Sequence, residues 1–184
     1  MLGKALKTTL LGVCTLLPIT ASANNFNYNM FEVRMGSSPG TFGAEFNTYF
    51  TENTHFVGRF DSEFSGDWDL AGGIGFNGPM GQFADIYGQM LIHNIKNKSS
   101  DKIGDEWKTE VNIGARVWLM QNIEVHGRLG QLISNDSNNS IVGIGARFHS
   151  TQQLSIGADL RNNGTYGHQI LMSGGGGGGG GGIA

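Results

Sequence analysis

Along Thr109 to Ile133, "TEVNIGARVWLMQNIEVHGRLGQLI", apolar and polar positions alternate with period two. Val111, Ile113, Ala115, Val117 and Leu119 share one parity, and Glu110, Asn112, Gly114, Arg116 and Trp118 the other. After Gln121-Asn122 the alternation resumes, with Ile123, Val125, Gly127 and Leu129 opposing Glu124, His126 and Arg128. Successive side chains on a strand point to opposite faces, so this segment reads as a hairpin with one apolar and one polar face. A soluble antiparallel sheet would show the same pattern, so the pair alone does not say which face meets water.

The alternation recurs along the chain. Phe42, Ala44, Phe46, Thr48 and Phe50 oppose Gly43, Glu45, Asn47 and Tyr49; Phe56, Gly58, Phe60, Ser62 and Phe64 oppose Val57, Arg59, Asp61 and Glu63. No segment carries a convincing helical period. The pattern predicts ten strands, at about 26–36, 41–51, 54–65, 68–77, 82–94, 106–119, 122–133, 140–149, 153–161 and 165–172. The first is less regular: Phe31, Val33 and Met35 oppose Glu32 and Arg34, while Phe26, Tyr28 and Met30 carry the other parity, as a bulge or a strand start outside the apolar band would produce. The longest connections fall at one end of the sheet and tight turns mostly at the other. The fold class is all-β: a closed antiparallel up-and-down transmembrane β-barrel of ten strands, with eight as the alternative.

Charge sharpens this picture. After the N-terminal segment, every Asp, Glu, Lys and Arg lies in a connection or on the less apolar face. A soluble barrel with its apolar face inside would obey the same rule. The balance is tipped by an exported chain, by apolar bands of about ten residues that span roughly 25 Å at a ~40° tilt, and by aromatics near strand ends (Phe50, Phe56, Phe64, Trp68, Phe76, Trp107, Phe148). On this reading a polar lumen is lined by Glu32, Arg34, Glu45, Arg59, Asp61, Glu63, Asp85, Glu110, Arg116, Glu124, His126, Arg128, Arg147 and Asp159. Mixed signs in a narrow interior favour pairing, because an unpaired ion out of bulk water is costly. Inward glycines leave room for long arginines.

The ends of the chain bound the domain. Lys4 and Lys7, the apolar run Thr8 to Ile19 and the small-x-small Ala21-Ser22-Ala23 predict a signal peptide over 1–23, with Asn24 the first mature residue. The apolar run is too short for a spanning helix. Cleavage there removes Cys14, the one cysteine, so the mature chain would hold no disulfide. Gly174 to Gly182 with Ile183-Ala184 reads as a flexible polyglycine tail, leaving 24–173 as the barrel domain. The formal charge is −3, and −5 once Lys4 and Lys7 are lost, which excludes a nucleic-acid footprint.

As a pattern over the signal and the mature chain, the sequence resembles the small outer-membrane β-barrels of Gram-negative bacteria: the outer membrane protein A transmembrane domain, OmpX-like and opacity-type porin proteins. The segment "NIGARVWLMQNIEVHGRL" also resembles the corresponding hairpin of YfaZ-type barrel proteins. These resemblances imply residence in the outer membrane, contact with its lipid and lipopolysaccharide, assembly by the barrel-insertion machinery, a monomer, and passive, adhesive or structural roles. Such barrels usually close on a strand ending in an aromatic residue; here "YGHQILMS" runs into polyglycine.

Candidate chemistry is sparse. "RFHST", with His149, Ser150 and Thr151, resembles the His-x-Ser of lipid A deacylases, but no Glu follows His149. His93 with Asp101 and Asp105 sits at the end where omptin-type proteases carry theirs, without a motif. "GIGFNG" at Gly73 to Gly78 matches a dinucleotide fingerprint but precedes a strand, not a helix. The histidines lack metal-ligand spacing, so neither metal nor cofactor is expected. Loop 95–105 is a solvated outer loop or a contact surface for lipopolysaccharide or a partner. The sequence therefore points to a non-enzymatic barrel, structural or narrow and porin-like. A soluble periplasmic ligand-binding barrel is the second reading, and a lipid A-modifying enzyme the third.

Overall fold

The computed structural model describes residues 26–99, 101–135, 137–151 and 153–177. The expected signal segment with Cys14, the expected mature start at Asn24 and the last part of the glycine run lie outside the described residues. Ten strands follow one another: β1 (Met30–Ser37), β2 (Thr41–Thr51), β3 (Thr54–Ser62), β4 (Trp68–Pro79), β5 (Ala84–Lys96), β6 (Glu106–Met120), β7 (Ile123–Ile133), β8 (Asn138–His149), β9 (Leu154–Gly164) and β10 (Gly167–Gly177). Each pairs antiparallel with its sequence neighbours, and β1 pairs with β10 from Met30↔Gly177 to Ser37↔Ile170, closing the sheet into a ten-stranded barrel. Closure gives every strand two partners and leaves no edge of unpaired N–H and C=O groups.

The rows face as the alternation dictates, and the apolar rows face out. Ile113 is 62 % exposed, Ile144 61 % and Leu129 58 %, whereas Glu110 on the other face of the same sheet is 3 % exposed and Glu124 fully buried. The inversion is the reverse of a soluble barrel, whose large apolar side chains are interior. Aromatics ring both ends of the outer face. Phe50 lies 5.3 Å from Phe56 at the terminal end, where β1 begins and β10 ends, and Phe42 lies 6.0 Å from Phe64 at the opposite, loop end.

Three expectations change. β3 stops at Ser62, so Glu63 is in the β3–β4 connection rather than on the barrel wall. β1 begins at Met30, and residues 26–29 belong to no strand. The third change concerns the glycine run. Gly174–Gly177 are strand residues paired with β1, so the tail boundary at 173 is wrong. Glycine loses much backbone entropy on ordering, but a ladder is made of backbone groups. β1 and β9 each leave an edge that only another strand can satisfy.

Two inward glycines are required by close approach. A Cβ at Gly75 would overlap the His55 ring, and one at Gly114 would overlap the Tyr87 ring. The inward glycines thus make room for aromatic rings as well as for arginines.

Candidate functional site

Among the described residues, the barrel interior gathers most of the polar chemistry, and it is layered from the terminal end to the loop end. At the terminal end the segment 26–29 turns inward and lies across the mouth. Phe26 and Tyr28 are almost fully buried. Phe26 stacks on Trp118 at 5.4 Å, and Tyr28 stacks on His55 at 4.5 Å and donates its hydroxyl to Asp85 at 2.7 Å. The Arg116 guanidinium sits 4.9 Å from the Phe26 ring and 4.8 Å from the Tyr28 ring, within cation–π range of both, and donates to the Asn27 carbonyl. Tyr49 donates to the Phe26 carbonyl, and the Asn29 side chain accepts from the Tyr49 N–H. Sequence reasoning missed this plug. Its signal was the odd parity of Phe26 and Tyr28, which marks side chains bound inside rather than a bulged strand.

Behind the plug, Glu124 is a hub. It accepts from Arg116 at 2.7 and 2.9 Å, faces Arg147 at 3.7 Å and meets His149 at 3.1 Å. The planar fork of Arg116 matches the two carboxylate oxygens, the geometry that makes such a pair strong. Arg147 also binds Glu32. His149 thus finds a carboxylate after all, from an earlier strand, but that carboxylate is already shared with two arginines.

In the middle of the barrel a chain of ion pairs crosses the interior. Glu45 joins Arg34 to Arg59; Arg34 also reaches Asp61 at 3.2 Å, and Arg59 reaches Glu110 at 3.1 Å. His126 pairs with Asp159. Arg128 makes no ion pair within 4 Å among the described residues. Towards the loop end, His93 has a carboxylate at each ring nitrogen, Asp69 at 2.9 Å and Glu110 at 3.1 Å, and Thr165 donates to Asp69 at 2.6 Å. His93 therefore faces the interior rather than Asp101 and Asp105. Leu91, Leu132, Ile141 and Leu171 are buried towards the same end. Leu91, Leu132 and Ile141 sat on the less apolar face in the sequence pattern and carried no charge to draw notice, and Leu171 lay in a stretch, 166–172, with no clear outer face. Asp69 and Arg161 also belong here and were not singled out from sequence.

Glu63 is the exception among the expected lining residues: it pairs with Lys98 across two connections at the rim. In the same connection Asp67 accepts from the Glu63 and Ser65 N–H groups. Burial alone would raise the Asp67 carboxyl, but hydrogen bonds from Tyr166 and these N–H groups outweigh it and hold it below the usual carboxylate range.

Side chains of the described residues fill much of the interior. One chamber of about 90 Å³ lies between the plug and the middle ion pairs, and a second of about 10 Å³ lies beyond them, room for roughly one water. The arrangement can hold water and small ions.

No family model matches the chain, and no curated protein matches it. Among solved structures it is similar to one described as the KdgM porin in complex with disordered oligogalacturonate, with a TM-score of 0.56, 9 % identity, and coverage of 79 % of this chain and 96 % of that one. A structure described as asymmetric conductivity of engineered proteins has a TM-score of 0.32 at 8 % identity, covering 74 % of this chain and 55 % of that one. At 9 % identity the first likeness is one of fold alone, and the fold is a closed ten-stranded antiparallel barrel.

Proposed function

We propose that this chain is a non-enzymatic outer-membrane barrel, a narrow porin-like protein held shut by its plug and interior ion pairs. The observation that carries the reading is the inversion of the sheet: exposed rows of Phe, Ile and Leu outside, buried ion pairs inside. Water would penalise the first and lipid would welcome it. The soluble ligand-binding reading needed the apolar rows inside and an apolar cavity; the exposures run against it. The reading carries with it a cleaved signal, contact with lipopolysaccharide, assembly by the barrel-insertion machinery and a monomeric state.

The test is fractionation of the expressed protein, with heated and unheated lanes on one gel. A heat-shifted band in the outer-membrane fraction is the expected result. A band in the soluble periplasmic fraction, unshifted by heat, overturns the proposal.

A substitution separates the two environments more sharply. Ile113 lies mid-strand on the outer face of β6. In lipid, Ile113→Arg should cost about 2–4 kcal/mol, as charges do near the midplane of a bilayer-spanning barrel. At an exposed position of a soluble barrel the same change stays within about 0.5 kcal/mol. Urea unfolding of the refolded protein in lipid vesicles measures the difference.

A further inference from the structure

Six arginines line the interior, and they are not equally provided for. Arg34, Arg59, Arg116 and Arg147 each meet a carboxylate within hydrogen-bond distance. Arg161 does not: its one ion pair, to Asp61, is 3.6 Å long, its side chain is only 9 % exposed, and its Nε has no hydrogen-bond partner. Arg128 has no ion pair within 4 Å among the described residues. The two belong to one place. Arg128 on β7 and Arg161 on β9 are both in register with Gly143 of the intervening β8. A Cβ at Gly143 would come within 3.0 Å of the Arg128 Cγ and Nε, and one at Gly164 within 2.8 Å of the Arg161 Cδ. The glycines are the clearance that lets both side chains lie along the wall. Both arginines line the 90 Å³ chamber and the smaller cavity beside it. Across the larger chamber five arginines face four carboxylates.

We propose that the Arg128–Arg161 pair is a binding site for one small oxyanion, of the size of phosphate, sulfate or a single carboxylate group. A guanidinium out of bulk water needs a counter-charge, and its N–H fork matches an oxyanion in geometry. Four of the six arginines have a carboxylate within hydrogen-bond distance; Arg161 has only the longer pair to Asp61, and Arg128 only longer-range attraction from Glu45, Glu110 and Asp159, and both line the chamber. The chamber exceeds several-fold the ~10–15 Å³ that one water needs, so it admits a small oxyanion but no extended chain of sugars. The site depends on the closed interior and not on where the barrel resides.

The probe is inorganic phosphate, titrated into the folded full-length mature barrel in detergent at constant ionic strength and followed by calorimetry. One saturable site per barrel is expected. Arg128→Gln and Arg161→Gln should each weaken it by about tenfold or more, the loss of charge-assisted hydrogen bonds to one ligand. Lys98→Gln, at the exposed rim, should leave it unchanged. Absence of saturable binding to the wild type, or equal affinity in Arg128→Gln, overturns the site and means that water alone hydrates the pair. If Arg161→Gln fails to fold, Arg128→Gln decides, because Arg128 carries no ion pair whose loss would disturb the network. A barrel that shifts on heating yet binds no phosphate sinks this inference and leaves the membrane reading standing.

Discussion

Glu124→Ala is expected to destabilise the barrel by about 3–5 kcal/mol, the range for breaking a buried ion pair by removing one partner. Glu124 is fully buried, accepts from Arg116, meets His149 and forms a longer ion pair with Arg147. Its loss strands the Arg116 guanidinium, whose remaining contacts are two aromatic rings and a backbone carbonyl. Arg147 keeps Glu32 and should suffer less. Glu124→Gln preserves shape and one acceptor oxygen, so it should fall between wild type and alanine. Equilibrium unfolding in urea measures the loss, and Trp118 is a built-in reporter, 4.8 Å from the His149 ring and 5.4 Å from the Phe26 ring. A loss under about 1 kcal/mol would mean that the network behaves like a solvated surface pair and that the interior is wet.

That network marks the boundary of what the sequence could tell. Period two sets every face, so Ile113 out and Glu110 in follow from parity, and β2 falls on its expected residues. Which charges meet is set by register and barrel curvature. Arg59 reaches Glu110 from three strands away, and Arg147 on β8 reaches Glu32 on β1; neither partner could be chosen from spacing. Two segments misled for opposite reasons. Phe26 and Tyr28 were apolar at the wrong parity and read as an irregular strand, yet they are the plug. Gly174–Gly177 carry no pattern and read as tail, yet their backbone closes the barrel against β1. Period-two reasoning sees only side chains that alternate, so it is blind to a strand without side chains and to a segment that leaves the sheet.

The plug itself makes the second large prediction. With Cys14→Ser, a Gln89→Cys reporter places one thiol in the wall of the 90 Å³ chamber, behind Tyr28 as seen from the terminal mouth. In the otherwise wild-type barrel a small thiol reagent should modify it slowly. Reaction waits on local opening of the plug, and labelling tracks the open population. Phe26→Ala together with Tyr28→Ala removes two cation–π contacts, each worth about 0.5–2 kcal/mol, and the Tyr28–Asp85 hydrogen bond, worth about 1.5–3 kcal/mol. The lower ends of these ranges total about 2.5 kcal/mol, so at about 1.4 kcal/mol per factor of ten labelling should accelerate by about 60-fold or more. The bulk of the barrel should stay folded, since neither ring belongs to the closed ladder, and the heat-shifted band reports that. Conductance should rise less than accessibility, because Leu91, Leu132 and Ile141 and the His93–Glu110–Arg59 contacts still fill the loop end. An unchanged labelling rate in the folded double variant would show that Trp118 and His149, not the N-terminal segment, close the mouth.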